Sequence, residues 1–324
     1  MTGPRLGLLL NTQVPGGSDL TRVYREQIEI AEAAEAAGFE LLLVPEHHGL
    51  EDGMCPAPFV LLGALAARTS RIRLGTGVML PALHNPLHLA EQIAVLDQLS
   101  GGRVVVGVGL GRYTARRTLA GFDVDRESQA ERFERHVKEM RAALNDALIT
   151  PSPVQGSVPV WVGAQRRVGL RRAASIGDAW ISDMYRSRAV IAAMAADYRA
   201  ACADGRGCVA ISRDACIGDA ADLDQWWRHV QAGTWAFRVY LEDHQRSPWA
   251  ALDPEPALIA AVSDLDRERW GRDRVIAGGE NQVREQLAGY DADWVVLRLQ
   301  HRTGPSLAFV LEQIRRFGTV RSTA

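Results

Sequence analysis

Residues 72–111 read I-R-L-G-T-G-V-M-L-P-A-L-H-N-P-L-H-L-A-E-Q-I-A-V-L-D-Q-L-S-G-G-R-V-V-V-G-V-G-L-G. An apolar run, Ile72–Leu80, opens the stretch, and a second, Arg103–Gly109, closes it. Apolar runs without alternation are what a parallel sheet covered on both faces requires. Between them Leu89, Ile93 and Leu96 recur at steps of four and three, while Glu91, Gln92 and Asp97 point elsewhere. That is the spacing of a half-buried helix. Pro86 stands where a helix can begin without losing a bond, and Gly101–Gly102 where left-handed residues can end it. The unit is strand, helix, parallel strand.

The same texture repeats on both sides. Candidate strands are Arg5–Asn11, Phe39–Pro45, Ile72–Leu80, Arg103–Gly109, Val158–Ala164, Asp178–Asp183, Val209–Ile217 and Trp294–Gln300, with helical periodicity between them. Eight alternations predict an α/β fold, a closed (β/α)8 TIM barrel; an open dinucleotide-binding sheet would stop near six strands. Residues 1–324 are then expected to form a single barrel domain. The rhythm breaks over about 219–277, after strand seven, where Trp226, Trp227, Trp235 and Trp249 lie among prolines. A long insertion at that point reads as a lid or binding loop, and its aromatic content suits an apolar ligand.

A net charge of −2 gives no basic surplus for nucleic acid. No stretch approaches the ~20 apolar residues of a membrane span. Cys55, Cys202, Cys208 and Cys216 form no C-x-x-C pair and read as scattered thiols in a reducing cytoplasm.

Barrel enzymes place their chemistry at the C-terminal ends of the strands. The second strand ends in Glu46-His47-His48, a carboxylate and two imidazoles, of which one imidazole could act as a general base near neutral pH. A metal site is the competing reading, with His84 and His88 as added ligands, but Asn85-Pro86 keeps that pair off one helical face. Gly75 and Gly77 interrupt the third strand, where either a flat ring lies close or the strand bulges. The fourth strand runs into Gly107-Val108-Gly109-Leu110-Gly111-Arg112-Tyr113, followed by a loop bearing Arg116 and Arg117. The fifth ends in Ala164-Gln165-Arg166 at a helix start, a natural place for an anion. Gly278-Gly279 is a second candidate phosphate site.

These pieces in this order resemble the bacterial luciferase-like monooxygenases, most specifically from Leu65 to Gly111 and in the Glu46-His47-His48 tip. The resemblance covers most of residues 5–190 and is weak over 219–275. It implies reduced FMN from a separate reductase, reacting with O2 and a small organic substrate. His47 would be the acid/base, with Glu46 and His48 as neighbours. Thr76, Gly77, Val78, Gly109, Arg112, Tyr113, Ala164, Gln165, Arg166, Gly169 and Met184 would contact the cofactor. A cis peptide is expected at Gly77–Val78, the phosphate near Gln165, Arg166 and Gly169, and Met184 near the ring plane. Three positions depart from luciferase: Leu110 replaces a phosphate arginine, Arg116 the aspartate partner of the histidine, and Gly109 a cysteine. His47 would then be oriented differently, with Glu46 the candidate. The same scaffold hosts deazaflavin-dependent hydride transfer and flavin binding without turnover. The Glu-His-His tip favours the FMN branch. A homodimer through the second and third helices is also implied, with Ala64, Ala66 and Ala67 permitting close approach.

Overall fold

Short apolar strands with helices laid over them leave only one way to hide every strand edge, which is closure. A computed structural model of the chain describes residues 3–111, 116–125, 128–145, 149–205, 207–236 and 238–322. Its elements in order are β1 (Arg5–Leu9), α1 (Leu20–Ala36), β2 (Leu41–Val44), α2 (Pro58–Arg68), β3 (Arg73–Met79), α3 (Pro86–Ser100) and β4 (Val104–Gly109). Next come α4 (Arg116–Gly121), α5 (Gln129–Asn145), β5 (Val160–Gly163), α6 (Arg167–Ile176), β6 (Ala179–Ile181), α7 (Arg188–Ala201) and β7 (Cys208–Ile217). The chain ends with α8 (Ala220–Ala236), α9 (Val239–Gln245), β8 (Val275–Gly278), α10 (Glu280–Ala288), β9 (Trp294–Arg298) and α11 (Leu307–Ser322).

Strands β1 to β6 pair in sequence, β6 pairs with β7, β7 with β9, and β9 with β1, all in parallel. The fold is therefore a closed (β/α)8 barrel, and its eight strands are the eight expected. One strand was not foreseen. β8 lies outside the barrel and pairs with Asp214–Ile217, where β7 runs past β9 from Ala215 onward. Residues 116–121, read from the sequence as a basic loop, are helical.

Alternation along each strand sorts the core into two layers. Leu41, Leu43, Val105, Trp161, Ala179, Ile181, Ala210, Trp294 and Val296 fill the barrel. Their neighbours Leu42, Val44, Val104, Val106, Val295 and Leu297 face the surrounding helices. Each such buried side chain contributes ~1.5–3 kcal/mol relative to exposure. Helix α3 starts as its sequence directs: the Asn85 side chain accepts from the Leu87 and His88 amides, and Pro86 follows. It ends at Gly101, with φ of 68°.

The glycines of β3 and β4 are packing requirements. A Cβ on Gly75 would stand 2.2 Å from the Val105 carbonyl oxygen, and one on Gly107 2.0 Å from that of Thr76. The register between β3 and β4 slips between Thr76 and Met79, so the strand bulges, and the Gly77–Val78 peptide is cis.

The insertion is structured. Trp226, Trp227 and Trp270 are buried with Leu223, Val230, Leu241 and Leu265 in a core of its own, and Trp249 packs into the main core. These four side chains are occupied by packing, and Trp235 is half-buried beside them. Among the described residues no helix is long and apolar enough to cross a membrane.

Candidate active site

The C-terminal mouth of the barrel carries two polar groups of residues, one at β2–β3 and one at β7–β9. At the end of β2 the Glu46 N–H still donates to the Val78 carbonyl (3.2 Å), and the His47 N–H donates to the Cys55 carbonyl (3.0 Å). Glu46 is 1% exposed. Its Oε1 meets His48 Nε2 at 2.6 Å and His84 Nε2 at 2.7 Å, and its Oε2 accepts from the Leu80 amide at 2.8 Å. Burial alone would raise this carboxyl's pKa, but the hydrogen bonds from His48, His84 and Leu80 outweigh it and hold it below the usual range. His48 also packs edge-on against Phe122, 4.7 Å between centroids.

His47 is kept neutral. Burial lowers its pKa, against an opposing pull from Asp52 first and Glu46 second. Asp52, held by Gln13 Nε2 at 2.5 Å, is thus the carboxylate that acts most on His47, and both Glu46 oxygens are already engaged elsewhere. His84 completes the β2–β3 group, a role its sequence neighbours did not suggest. His88 sits apart and bonds Gln92 at 3.2 Å.

Thr76 is buried and its hydroxyl donates to the Gly107 carbonyl at 2.6 Å. Val78, beyond the cis bond, fills the space that Gly109 leaves: a Cβ there would meet Val78 Cγ2 at 2.5 Å. Gly109 therefore accommodates the protein's own side chain at this point. Gly169 lets α6 close onto β5, with a Cβ there 3.0 Å from that of Ala164. Gln165 and Met184 are half-buried on the loops after β5 and β6. Arg112 and Tyr113 lie outside the described residues.

Arg166 stands at the start of α6, where the sequence reading placed a phosphate clamp. Its guanidinium is committed to the insertion, donating to Asp243 Oδ1 (2.6 Å), the Asp243 carbonyl (3.3 Å) and the Arg246 carbonyl. The α6 N-terminus itself carries no side-chain cap. The alternative at Gly278–Gly279 sits on β8, outside the barrel.

The second polar group was missed. Asp214 and Arg298 are direct cross-strand partners of β7 and β9. They share a face with Ala210 and with Trp294 and Val296, which line the barrel. Arg298 Nε and Nη2 donate to Asp214 Oδ1 (2.6 Å) and Oδ2 (2.9 Å). Tyr185, from the β6–α7 loop, has its hydroxyl within reach of this guanidinium, and burial pushes its pKa up against the pull of Arg298. Behind them His301 is buried, its Nε2 3.8 Å from Asp214 Oδ1, with burial pressing its pKa down to about 3. A signal existed: a charged residue at the apolar parity of Trp294-Val295-Val296-Leu297-Arg298.

A closed parallel barrel with paired polar groups at its C-terminal mouth defines a barrel enzyme. The model of the family described as luciferase-like monooxygenase matches residues 4–295, and the chain belongs to that family. A luciferase-like monooxygenase of Escherichia coli strain K12 is 31% identical over 170 residues, 51% of this chain and 50% of that protein. The chain spans about half the length of the curated relatives it matches. Two solved structures share the fold. One is the oxygenating constituent of 3,6-diketocamphane monooxygenase from Pseudomonas putida, in complex with FMN (TM-score 0.77, 17% identity, 99% of each chain). The other is an F420-dependent secondary alcohol dehydrogenase (TM-score 0.72, 16% identity, 99% of this chain and 98% of that one).

Three histidines withdrawn from water in different degrees set an acid sensitivity. His47, His244 and His301 all have pKa values below their ordinary 6.5, so their neutral forms are favoured by folding. Their contribution is complete above pH 6.5 and is lost as pH falls from 6.5 toward the folded values. Urea midpoints should therefore fall between pH 6.5 and 4.5, and His301→Asn should flatten that slope. Equal slopes for the two proteins would contradict the assignment.

Proposed function

We propose that this chain is the oxygenating component of a two-component cytoplasmic monooxygenase that takes reduced FMN from a separate reductase and uses it with O2 on a small organic substrate. The observation that carries this reading is the placement of His47, a half-buried imidazole at the β2 tip, next to Glu46, whose N–H bonds Val78 of the bulged Gly77–Val78 segment. A neutral imidazole at the barrel mouth can take or return a proton near pH 7.

The residues fit such a cofactor. The uncapped first turn of α6, brought against β5 by Gly169 and Ala164, offers backbone N–H groups to a phosphate. Thr76, Gly77 and Val78 border the mouth where a flat ring would lie, with Gln165 and Met184 on the adjoining loops. When bound, reduced flavin supplies the electrons that activate O2. Asp52 opposes the lowering of the His47 pKa by burial without reversing it. Glu46, by fixing His48 and His84, holds the loop between β3 and α3 in place. The insertion roofs the mouth and excludes water, pinned by Arg166–Asp243 and by Arg186 Nη1 on His244 (2.6 Å). Tyr185 and Tyr240, 4.9 Å apart, supply the apolar or aromatic wall for the substrate.

The protein is proposed to act as a homodimer. The outer face of α2 and α3 exposes Val60 (77%), Val95 (46%) and Leu99 (64%) around a groove of about 390 Å³ that Phe59 and Gly63 also line. Contiguous exposed apolar side chains of this kind mark association surfaces. Ala64 and Ala67 are exposed there, whereas Ala66 is buried against the barrel.

His47→Asn should keep reduced-FMN affinity within about twofold and lower substrate-dependent turnover by ~100-fold or more, measured as product formed per FMN consumed. Near-full turnover would remove His47 from its role. Leu99→Glu should convert a dimer into a monomer in light scattering, and a monomeric wild type would contradict the dimer.

A further inference from the structure

The Asp214–Arg298 pair is more than the barrel needs. Both side chains are under one-tenth exposed, and they face the same space as the apolar residues below them. Taking two charges out of water costs several kcal/mol per ion, and an apolar pair of similar volume would serve packing as well or better. We infer that Arg298, held by Asp214, reads the polar end of the organic substrate, and that this end is an uncharged acceptor oxygen of carbonyl type. The inference rests on the reading that the barrel mouth is the substrate site.

Donor arithmetic supports the role. A guanidinium has five N–H groups. The Asp214 carboxylate takes one from Nε and one from Nη2. Of the three left, the Tyr185 hydroxyl occupies part, and no other acceptor engages Arg298 among the described residues. The fork is thus fixed in direction with donor capacity to spare, as a positioning group must be.

Charge decides the ligand class. Asp214 neutralises Arg298, and the buried His301 behind it is neutral and adds none. Arg186, which follows Tyr185 in the chain, is paired with Asp183 at 3.2 Å. A carboxylate entering here would meet the Asp214 charge directly behind the guanidinium. A ketone, ester or amide oxygen meets only the donors. The tilted Tyr185 and Tyr240 rings, 4.9 Å apart, offer the apolar body of such a molecule a wall.

The test uses the full chain and three probes of one shape, acetophenone, benzoate and ethylbenzene, with binding followed by saturation-transfer NMR. Wild type should prefer acetophenone. Arg298→Met should weaken acetophenone by about tenfold or more, the worth of a hydrogen bond to a charged group. Asp214→Asn leaves the guanidinium uncompensated, so benzoate should overtake acetophenone. Circular dichroism verifies folding, and if Arg298→Met does not fold, Arg298→Lys and Asp214→Asn decide. The inference is overturned by a wild type that prefers benzoate or ethylbenzene or binds none of the three. Undiminished acetophenone binding in the Arg298 variant, or an unchanged order in Asp214→Asn, overturns it equally. Reduced FMN is titrated into the same samples. Loss of flavin binding with the ketone preference intact would count against the flavin reading alone.

Discussion

A carboxylate buried at the end of β2 constrains the rest of the mouth. Glu46 cannot stay ionised below the surface unless its oxygens are met, because an unmatched buried charge costs far more than any one contact returns. They are met by His48, His84 and the Leu80 amide, three groups from two different segments. That joins the tip of β2 to the turn leading out of β3. With Glu46 fully engaged, His47 answers to Asp52 instead, and burial keeps it neutral. The imidazole expected to carry chemistry is therefore held between two acids of unlike duty, one structural and one electrostatic.

The same logic of close packing explains the glycines. Gly75 and Gly107 lie where neighbouring carbonyls would strike any Cβ, and Gly109 yields its space to Val78. These positions let β3 bulge without parting from β4. Across the mouth, Asp214 and Arg298 supply a second polar anchor, and β7 continues past it to carry β8 and the core of the insertion. The ion pair of Arg166 with Asp243 ties that insertion down, and Arg274 with Asp253 at 2.5 Å braces it internally.

Much of this was legible in the chain. The eight barrel strands follow from apolar runs punctuated by glycine and helical periodicity, because a parallel sheet hides both faces and leaves no other pattern. β8 was not legible: Val275–Gly278 is short and pairs with an overhang that only the closed barrel creates. Glu46, His47 and His48 stood out because three ionisable groups in a row are costly at a strand tip. His84 stood out only as an added metal ligand, not as a partner of Glu46, which is 38 residues away and reached only by the turn after β3. The bond from Arg166 to Asp243 was not legible, as a basic residue at a helix start suits a phosphate and an aspartate from the insertion equally well. That Trp226, Trp227 and Trp249 are buried was not legible either: sequence shows aromatic surface but not which side of a helix is already covered.

Family membership and the geometry of the mouth leave the cofactor as the claim on which the rest turns. FMN and F420 enzymes share this scaffold, so the barrel alone does not choose between them. Anaerobic titration of the purified chain with reduced FMN and, separately, with reduced deazaflavin, followed by admission of O2, bears on it most directly. An FMN-dependent oxygenase should bind reduced FMN tightly and reoxidise it rapidly on the protein. Preference for the deazaflavin, with no reaction toward O2, would contradict that assignment and move the chain to hydride transfer; binding of neither would remove the flavin from the mouth altogether.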